Sequence, residues 1–329
     1  MIDRRTFVFA ASAGILGARC PAIAQSTPKL HRIGYIAFNS AVIGRDILTD
    51  FRQTLRELGW IDGQNIIIET RFADGDVDRL PALVGELLRL DVDVLVTGSS
   101  AATRAGKSAT TTVPIVMLAS ADAVGEGFVA SLARPGGNIT GMTLLAGPEI
   151  ASKQLEFLRD IAPAAKDVAV LINPRNGSHA AFAAELKTAA SRLGIQLHPA
   201  RAGSPDQLER AFAAVVKERA AALLVLSDAM FLGERQRIAD LARTSALPAM
   251  YSQKEFVEGG GLISYGPSLT DMSRRAAKHV DKILRGAKPN GVPVEQPTKF
   301  ELFINTRTAA ELGITIPQGL RLRVDKEIE

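Results

Sequence analysis

Small polar residues follow the apolar segments of this 329-residue chain, at the positions where the predicted strands end. In an open parallel sheet, ligands bind beyond the carboxyl ends of the strands and close to helix N-termini. Hydroxyl, amide and carboxylate groups at these ends could therefore hold a small molecule. In the first half of the chain the candidates are Asn39, Ser40, Gly98, Ser99, Ser100, Ser120 and Asp122. In the second half they are Asn173, Asn176, Ser227, Asp228, Tyr251 and Tyr265.

The strongest of these candidates is Gly98-Ser99-Ser100, which precedes a predicted helix that starts at Ala101. Glycine lets a ligand approach the backbone, and free N–H groups at a helix N-terminus favour a carboxylate or a phosphate. The alternative is that the serines only cap the helix. Capping and binding are compatible, so both interpretations stay open.

The two aspartates and the two tyrosines each have a structural alternative. Asp122 and Asp228 could pair with an ammonium group, or each could cap a helix. Tyr251 and Tyr265 could form a wall for an apolar ligand side chain, or they could pack in the core or at a hinge.

Signatures of catalysis are weak in this sequence. Gly106-Lys107-Ser108 resembles the end of a phosphate-binding P-loop, but Ala101 stands where the first glycine is required. No Gly-x-Ser-x-Gly elbow occurs, and the chain has only one cysteine. The histidines lack metal-ligand spacing: they are His31, His179, His198 and His279. The sequence therefore predicts no enzyme activity, no metal and no cofactor.

The N-terminus has the features of an export signal. Arg4 and Arg5 precede a short apolar segment, residues 7–18, and Ala22-Ile23-Ala24 has the small-x-small pattern of a cleavage site. Residues 1–24 are thus predicted to be a signal peptide similar to twin-arginine signals, and the mature protein to be soluble in the periplasm. Arg19 precedes Cys20, where a lipoprotein signal needs a small residue, so lipid anchoring is not expected.

Removal of this segment also decides the charge of the mature chain. Three arginines and one aspartate leave with it, so the net charge falls from +4 to +2. So small and dispersed a charge does not indicate nucleic-acid binding. A cytosolic regulator with this architecture would need a DNA-binding segment where the signal peptide lies.

Strands and helices alternate after the N-terminal segment. The apolar pattern predicts strands at 33–38, 65–71, 93–97 and 113–118, with amphipathic helices at 46–58 and 78–90. Such alternation is typical of a parallel sheet with helices on both faces. The predicted fold class is α/β.

The pattern then recurs at a constant distance along the chain. Gly59 and Gly194, which both end helices, lie 135 positions apart, and Pro114 lies 134 positions before Pro248. This predicts two similar lobes, although two unrelated α/β domains would also be compatible. Later elements at 261–265, 269–284, 300–304 and 307–312 are too few for a third domain. The chain is therefore expected to cross between the lobes more than once.

Four segments resemble a known family: FRQTLRELG at 51–59, SLARPGGNITG at 131–141, SYGP at 264–267 and EQPTKFE at 295–301. The family is that of ABC-transporter substrate-binding proteins, whose members include tryptophan-binding lipoproteins. The resemblance implies a type I periplasmic-binding fold, in which two Rossmann-like lobes with parallel sheets are joined by a multi-strand hinge. The expected lobe I is 31–142 plus 265–297, and the expected lobe II is 143–264 plus 298–329.

The same resemblance implies a function. The protein would be the exported solute-binding component of an ABC importer and would capture an amino acid or small carboxylate, an aromatic one among the options, by hinge closure. Its partners would be a membrane permease and a cytosolic ATPase. Two alternatives remain: a periplasmic ligand sensor for a membrane receptor, and an exported α/β hydrolase that would use Asp122 and Asp228.

Overall fold

The structure is a computed structural model that describes residues 30–144 and 149–329, with only the backbone described for Val42 and Ile43. The predicted signal peptide, together with Cys20, lies outside the described residues. Among the described residues no helix is long and apolar enough to span a membrane.

The first half of the chain forms a five-stranded sheet with its helices. Its elements are β1 His31–Ala37, α1 Ala41–Glu57, β2 Ile66–Phe72, α2 Leu80–Arg89, β3 Val94–Thr97, α3 Ser100–Ala109, β4 Ile115–Ser120 and β5 Ile139–Thr143. The strand order is β2-β1-β3-β4-β5, and all neighbours are parallel. All four residues of β3 are buried, as expected for a strand covered by helices on both faces.

The second half forms a seven-stranded sheet. Its elements are α4 Glu149–Ile161, β6 Asp167–Ile172, α5 His179–Leu193, β7 Gln196–Arg201, α6 Leu208–Lys217, β8 Ala222–Val225, α7 Ala229–Gly233, α8 Arg235–Thr244, β9 Ala249–Tyr251, α9 Lys254–Glu258, β10 Ile263–Pro267, α10 Leu269–Leu284, β11 Phe300–Asn305, α11 Thr306–Glu311, α12 Gln318–Arg321 and β12 Lys326–Ile328. The order is β12-β11-β10-β9-β8-β6-β7, and only the β10–β11 pair is antiparallel.

The two sheets repeat one topology. The order β7-β6-β8-β9-β10 in the second sheet matches β2-β1-β3-β4-β5 in the first, strand for strand. The predicted α/β fold with two similar lobes is therefore confirmed. Strands β11 and β12 extend only the second sheet.

The helices that follow β5 and β10 are exchanged between the lobes. Helix α4 follows β5 but packs against β8, β9 and β10 of the second sheet. Helix α10 follows β10 but packs against α1, β4 and β5 of the first. The Ser273 hydroxyl donates to the carbonyl of Ile47, and the Trp60 indole donates to Asp281, which fixes α10 on the first lobe. The expected lobe boundary between 264 and 265 falls inside β10.

After α10 the chain stays on the first lobe and runs beside β5. The backbone of Glu295 accepts from Thr143 and donates to Gly141, so this segment continues the first sheet locally. Arg275 of α10 holds the Glu295 carboxylate at 2.5 Å and 2.9 Å. The chain then makes its third crossing, to β11 of the second sheet, and the backbone carbonyl of Lys299 accepts from the backbone of Ser268. The two lobes are thus joined by adjacent segments.

Gly266 of the SYGP segment occupies a position where no larger residue fits. A Cβ atom at this position would collide with the backbone carbonyl of Ser252, just beyond β9. Only glycine allows β10 to approach the end of β9 this closely. At this segment the chain passes from the second lobe back to the first.

Candidate inter-lobe binding site

A cleft of about 930 Å³ lies between the carboxyl ends of the two sheets. Both lobes line it, as the strand-end rule for parallel sheets requires. Eight of the predicted residues contribute to its wall: Asn39, Gly98, Ser99, Ser100, Asn173, Asn176, Ser227 and Asp228. Apolar side chains form much of the remainder, including Phe38, Leu80, Pro81, Leu118, Met230 and Leu232. Such a site suits a small molecule with one polar and one apolar part.

On the first lobe, the cleft wall is centred on the start of α3. Ser99 is the N-cap of this helix, and its Oγ atom accepts from the backbone of Ala102 at 3.2 Å. The next two residues, Ser100 and Ala101, both line the cleft, and their N–H groups precede the first intrahelical hydrogen bonds. Capping by Ser99 and a free helix N-terminus thus occur together, which makes this edge suitable for an anionic group.

Ser100 is tied to an ion pair that sequence reasoning missed. Its hydroxyl donates to Glu126 Oε1 at 2.6 Å and accepts from the backbone of Ala121 at 2.8 Å. The other carboxylate oxygen of Glu126 lies 2.6 Å from Arg104, whose guanidinium also lies over the ring of Phe128. Both charged residues line the cleft, and the Glu126 side chain is only 4% exposed. The Ser100 hydroxyl therefore positions Glu126.

Arg104 was recognisable in principle, since it lies one helical turn after Ser100 on the same helix face. Glu126 had no comparable pattern, because it lies in the irregular segment between β4 and β5.

On the second lobe, Asp228 organises the wall. It is the N-cap of α7, and its Oδ1 atom accepts from the backbones of Met230 and Phe231. Its Oδ2 atom accepts from the side-chain amides of Asn173 at 3.1 Å and Asn176 at 2.8 Å. A carboxylate has about four lone-pair positions, and these four bonds use them. Asp228 thus directs two amides and caps a helix, and it has no free lone pair for a ligand ammonium.

His179 supports the same wall from behind. It is 2% exposed, and its Nδ1 atom accepts from the backbone of Asn173 at 3.0 Å. Its Nε2 atom therefore carries the proton and donates to the carbonyl of Ser227 at 3.0 Å. Burial lowers the pKa of His179 below its usual value, while Asp228 opposes that shift. A neutral imidazole thus joins the ends of β6 and β8. The spacing of the histidines, which argued only against a metal site, does not predict this structural role.

Gln253 is a further cleft residue that sequence reasoning missed. Its side-chain nitrogen donates to Ser227 Oγ at 2.7 Å, and its oxygen accepts from the Ser252 hydroxyl at 2.6 Å. It lies two residues beyond β9, whereas the residue predicted at this strand end is Tyr251, the last residue of β9. Because Gln253 occupies the acceptor side of Ser227 Oγ, the hydroxyl hydrogen of that serine remains available to a ligand.

The two predicted tyrosines are not brought to the cleft wall, although Tyr35 of β1 does contribute to it. Tyr251 is 1% exposed and stacks on Phe256 at 4.8 Å within the core, where burial raises the pKa of its phenol. Tyr265 lies within β10 rather than after it, with its ring 4.9 Å from Phe157 and 5.9 Å from Phe300. Both rings therefore pack against other aromatic side chains, which was the structural alternative to a wall for the ligand.

Three further predicted residues lie behind the wall or beside it. Ser40 is the N-cap residue of α1 but makes no capping bond through its side chain. Ser120 is completely buried, and its hydroxyl lies 3.3 Å from that of Ser100. Asp122 accepts from the backbones of Val124 and Gly125, which closes a turn. None of the three belongs to the lining of the cleft.

The lobes also touch at the rim of the cleft. Arg175 of the second lobe lies 3.7 Å from Asp78 of the first, and both side chains are largely exposed. Deeper in, Gly233 at the end of α7 approaches Asn39 so closely that a Cβ atom there would lie 2.7 Å from Asn39 Oδ1. These contacts describe a closed arrangement of the two lobes. Within residues 30–144 and 149–329, no group of three His, Cys, Asp or Glu side chains could hold a metal ion.

Comparison with known proteins finds relatives that match most of the chain. A curated relative, the tyrosine-binding protein of Clostridioides difficile (strain R20291), is 24% identical over 264 residues, which are 80% of this chain and 75% of the relative. A solved ABC domain in complex with L-Trp from Streptococcus pneumoniae is 25% identical, with a TM-score of 0.84 over 91% of this chain and 100% of that one.

A second solved structure is a ligand-free, open substrate-binding protein with adhesive properties from Clostridium difficile. It is 23% identical, with a TM-score of 0.66 over 88% of this chain and 97% of that one. The family model described as ABC transporter substrate binding protein matches residues 44–328, nearly the whole described chain. The chain therefore belongs to the ABC transporter substrate-binding protein family.

Proposed function

We propose that this protein is the exported solute-binding subunit of an ABC importer and that it captures an amino acid, or a similar small carboxylate, between its lobes. The family is one of solute-binding proteins rather than enzymes. The observation that carries the proposal is the inter-lobe cleft itself, which combines a helix N-terminus, neutral polar side chains and an apolar wall.

The carboxylate is proposed to bind at the start of α3. The N–H groups of Ser100 and Ala101 and the hydroxyl hydrogen of Ser99 are donors that suit an anion at this edge. From the second lobe, each amide of Asn173 and Asn176 uses one N–H on Asp228, so one N–H of each can reach the cleft. Donors thus outnumber free acceptors, which favours a ligand with an anionic group.

The side chain of the ligand is proposed to pack on the apolar wall. Phe38, Leu80 and Pro81 from the first lobe and Met230 and Leu232 from the second line this part of the cleft. The named relatives bind tyrosine or were solved with L-Trp, which supports an aromatic amino acid for this chain too. Aromatic residues make up only 5% of the sequence, and Tyr35 and Phe38 are the two aromatic residues among the described residues of the lining, so a mainly aliphatic wall rather than an aromatic box would hold the ring.

We further propose where the protein acts and which partners it has. Residues 1–24 would direct export and be removed, and the mature protein would act in the periplasm with the expected division into two lobes. Ligand binding would stabilise the closed arrangement, which a membrane permease with a cytosolic ATPase would recognise.

Thermal unfolding of the mature chain, from Gln25 onwards, tests the ligand class. A ligand at about 100 times its Kd should stabilise the folded state by roughly 2.7 kcal/mol, an easily measured shift in Tm. L-Tyrosine, L-tryptophan, aliphatic amino acids and small carboxylates form the panel. Ala101→Phe, which fills the cleft beside the helix N-terminus, should abolish the shift.

Ala213→Phe is the matched control, since Ala213 is an exposed position of α6 on the second lobe, outside the cleft. This variant should keep the ligand-induced shift. No shift with any amino acid or carboxylate would contradict the proposed ligand class, and retention of the shift in Ala101→Phe would contradict the proposed location.

A further inference from the structure

Asn39 carries the one cleft-lining side-chain atom in the described part of the chain that is buried without a hydrogen-bond partner. It lies two residues after β1, and its Oδ1 atom accepts no hydrogen bond within residues 30–144 and 149–329. Buried polar atoms are almost always paired, because an amide oxygen that loses water without gaining a donor is unfavourable. An orphaned acceptor in a binding cleft therefore needs an explanation.

The opposite lobe explains why this oxygen is buried. Gly233 is the last residue of α7, and a Cβ atom on it would lie 2.7 Å from Asn39 Oδ1. The start of α7 is fixed by the Asp228 cap, so the position of Gly233 depends on the same network that orients Asn173 and Asn176. Closing the lobes thus brings the end of α7 against Asn39 and removes water from its oxygen.

Two carboxylates of the cleft, those of Asp228 and Glu126, could otherwise accept from an ammonium group, but both are already hydrogen-bonded. Both oxygens of Asp228 accept two hydrogen bonds each, from two helix N–H groups and two amides. Glu126 is likewise paired with Arg104 and Ser100. Asp76 also lines the cleft, but it is exposed to water and caps the turn at Asp78. Among the described residues, Asn39 Oδ1 is then the buried acceptor of the cleft that lacks a donor.

Asn39 Oδ1 is well placed to accept from a donor group that lies next to a carboxylate in the same ligand. Strands β1 and β3 are neighbours, with Ile36 opposite Thr97, so Asn39 and Ser100 follow adjacent strand ends. An α-amino acid carries its ammonium and its carboxylate on one carbon atom. A carboxylate at the start of α3 would therefore leave the ammonium within the reach of the next strand end, where Asn39 lies.

We propose that Asn39 Oδ1 accepts a hydrogen bond from the α-ammonium of the ligand and thereby makes lobe closure depend on that donor. This inference rests on the proposed amino-acid function. A carboxylate without the ammonium would bind at α3 but would close the lobes over an unpaired oxygen. Asn39 is then a specificity-determining residue, and Gly233 is the residue that covers its oxygen when the lobes close.

Calorimetric titration with two matched pairs of probes tests the inference. L-Tryptophan is compared with indole-3-propionate, and L-tyrosine with 3-(4-hydroxyphenyl)propionate, on the wild-type mature chain and on variants. The wild type should bind the amino acid of a pair more tightly than the analogue. In Asn39→Ala this preference should fall by about 10-fold to 100-fold, the range expected for a hydrogen bond to a buried or charged group. Affinity for the analogue should change little.

Asn39→Asp is the isosteric second variant, with two acceptor oxygens and no donor. It should keep or increase the preference for the ammonium-bearing probe. Gln53→Ala removes an amide from the exposed face of α1 and should behave as the wild type. Circular dichroism and Tm confirm that each variant is folded.

The outcomes separate the inference from the function on which it rests. Equal loss of affinity for both probes in Asn39→Ala, or the same loss of preference in Asn39→Asp, overturns the role of Asn39 and leaves amino-acid binding intact. Equal binding of both members of a pair by the wild type also overturns it. A wild type that binds none of the four probes contradicts the ligand class, and the role of Asn39 falls with it.

Discussion

Arg175 and Asp78 face each other across the rim of the cleft, 3.7 Å apart and on different lobes. Their side chains are 57% and 86% exposed, so the pair adds little to the stability of either lobe. Its position matters more than its strength, because the contact joins the two lobes and would break if they opened.

The first prediction concerns this pair. Asp78→Asn should speed ligand release by a small factor of about 2-fold to 5-fold at low ionic strength, and the difference should vanish at high salt, because exposed charges are screened. Stopped-flow dissociation of the amino acid that stabilises the wild type measures the rate. Asp91→Asn changes an exposed aspartate that precedes β3, at the end of the strand away from the cleft, and serves as the control. An equal effect at all salt concentrations would contradict a screened ion pair.

The second prediction concerns Asp228. Asp228→Ala removes the α7 cap and four hydrogen bonds, so the free energy of unfolding should fall by about 2–4 kcal/mol. Urea denaturation measures it, with Asp206→Ala expected within about 0.5 kcal/mol of the wild type. An unchanged free energy of unfolding in Asp228→Ala would show that the network does not order this wall.

The third prediction concerns pH. Burial lowers the pKa of His179 in the folded protein below its ordinary 6.5, so the unfolded chain takes up a proton first as the pH falls. The free energy of unfolding should therefore decline below about pH 6.5 and continue to decline until the folded-state pKa is reached. His179→Gln should have a shallower dependence in this range.

Urea denaturation at several pH values measures that slope. The other histidines are present in both proteins, so the difference between the two curves reports His179. Identical slopes would contradict its role as a buried neutral imidazole.

The fourth prediction concerns Gly266. Gly266→Ala places a Cβ atom against the carbonyl of Ser252, and we expect a loss of about 2–4 kcal/mol in the free energy of unfolding. Gly291→Ala is the matched control, because a Cβ atom there meets nothing within 4 Å. Chemical denaturation compares the two. Equal stability of both variants would mean that β9 and β10 can separate without cost.

The fifth prediction concerns export. Replacing Arg4 and Arg5 by lysines should reduce the amount of protein in the periplasm, and the wild-type protein recovered there should begin at Gln25. Cell fractionation and mass spectrometry of the intact protein measure both. Unchanged export of the double variant would contradict the twin-arginine route but not the signal peptide itself.

The fold could be predicted from the sequence because apolar residues and helix-ending glycines recur at regular spacings. Helix α10 begins at Leu269 and ends at Leu284 as its apolar spacing predicts, and the spacing between Gly59 and Gly194 corresponds to the repeated topology. Helix α1 begins at Ala41, five residues before the predicted start, because the sequence rule placed no cap at Ser40. Boundaries depend on single residues, and periodicity does not fix them.

The cleft was only partly predictable for a related reason. The strand-end rule finds Ser99 and Asp228, since both directly precede helices at the carboxyl edge of a sheet. It cannot decide which way a side chain turns, so it selected Tyr251 where Gln253 forms the wall. It also cannot find Glu126, whose position depends on the path of an irregular segment.

The exchange of α4 and α10 between the lobes has a consequence for biosynthesis. The first lobe begins at β1, yet it is completed by residues as late as Leu284 and Glu295. A growing chain therefore cannot finish its first lobe until almost all of the second has left the ribosome, and contacts so distant in sequence form slowly. For a protein that would cross a membrane already folded, release of a complete chain must precede translocation.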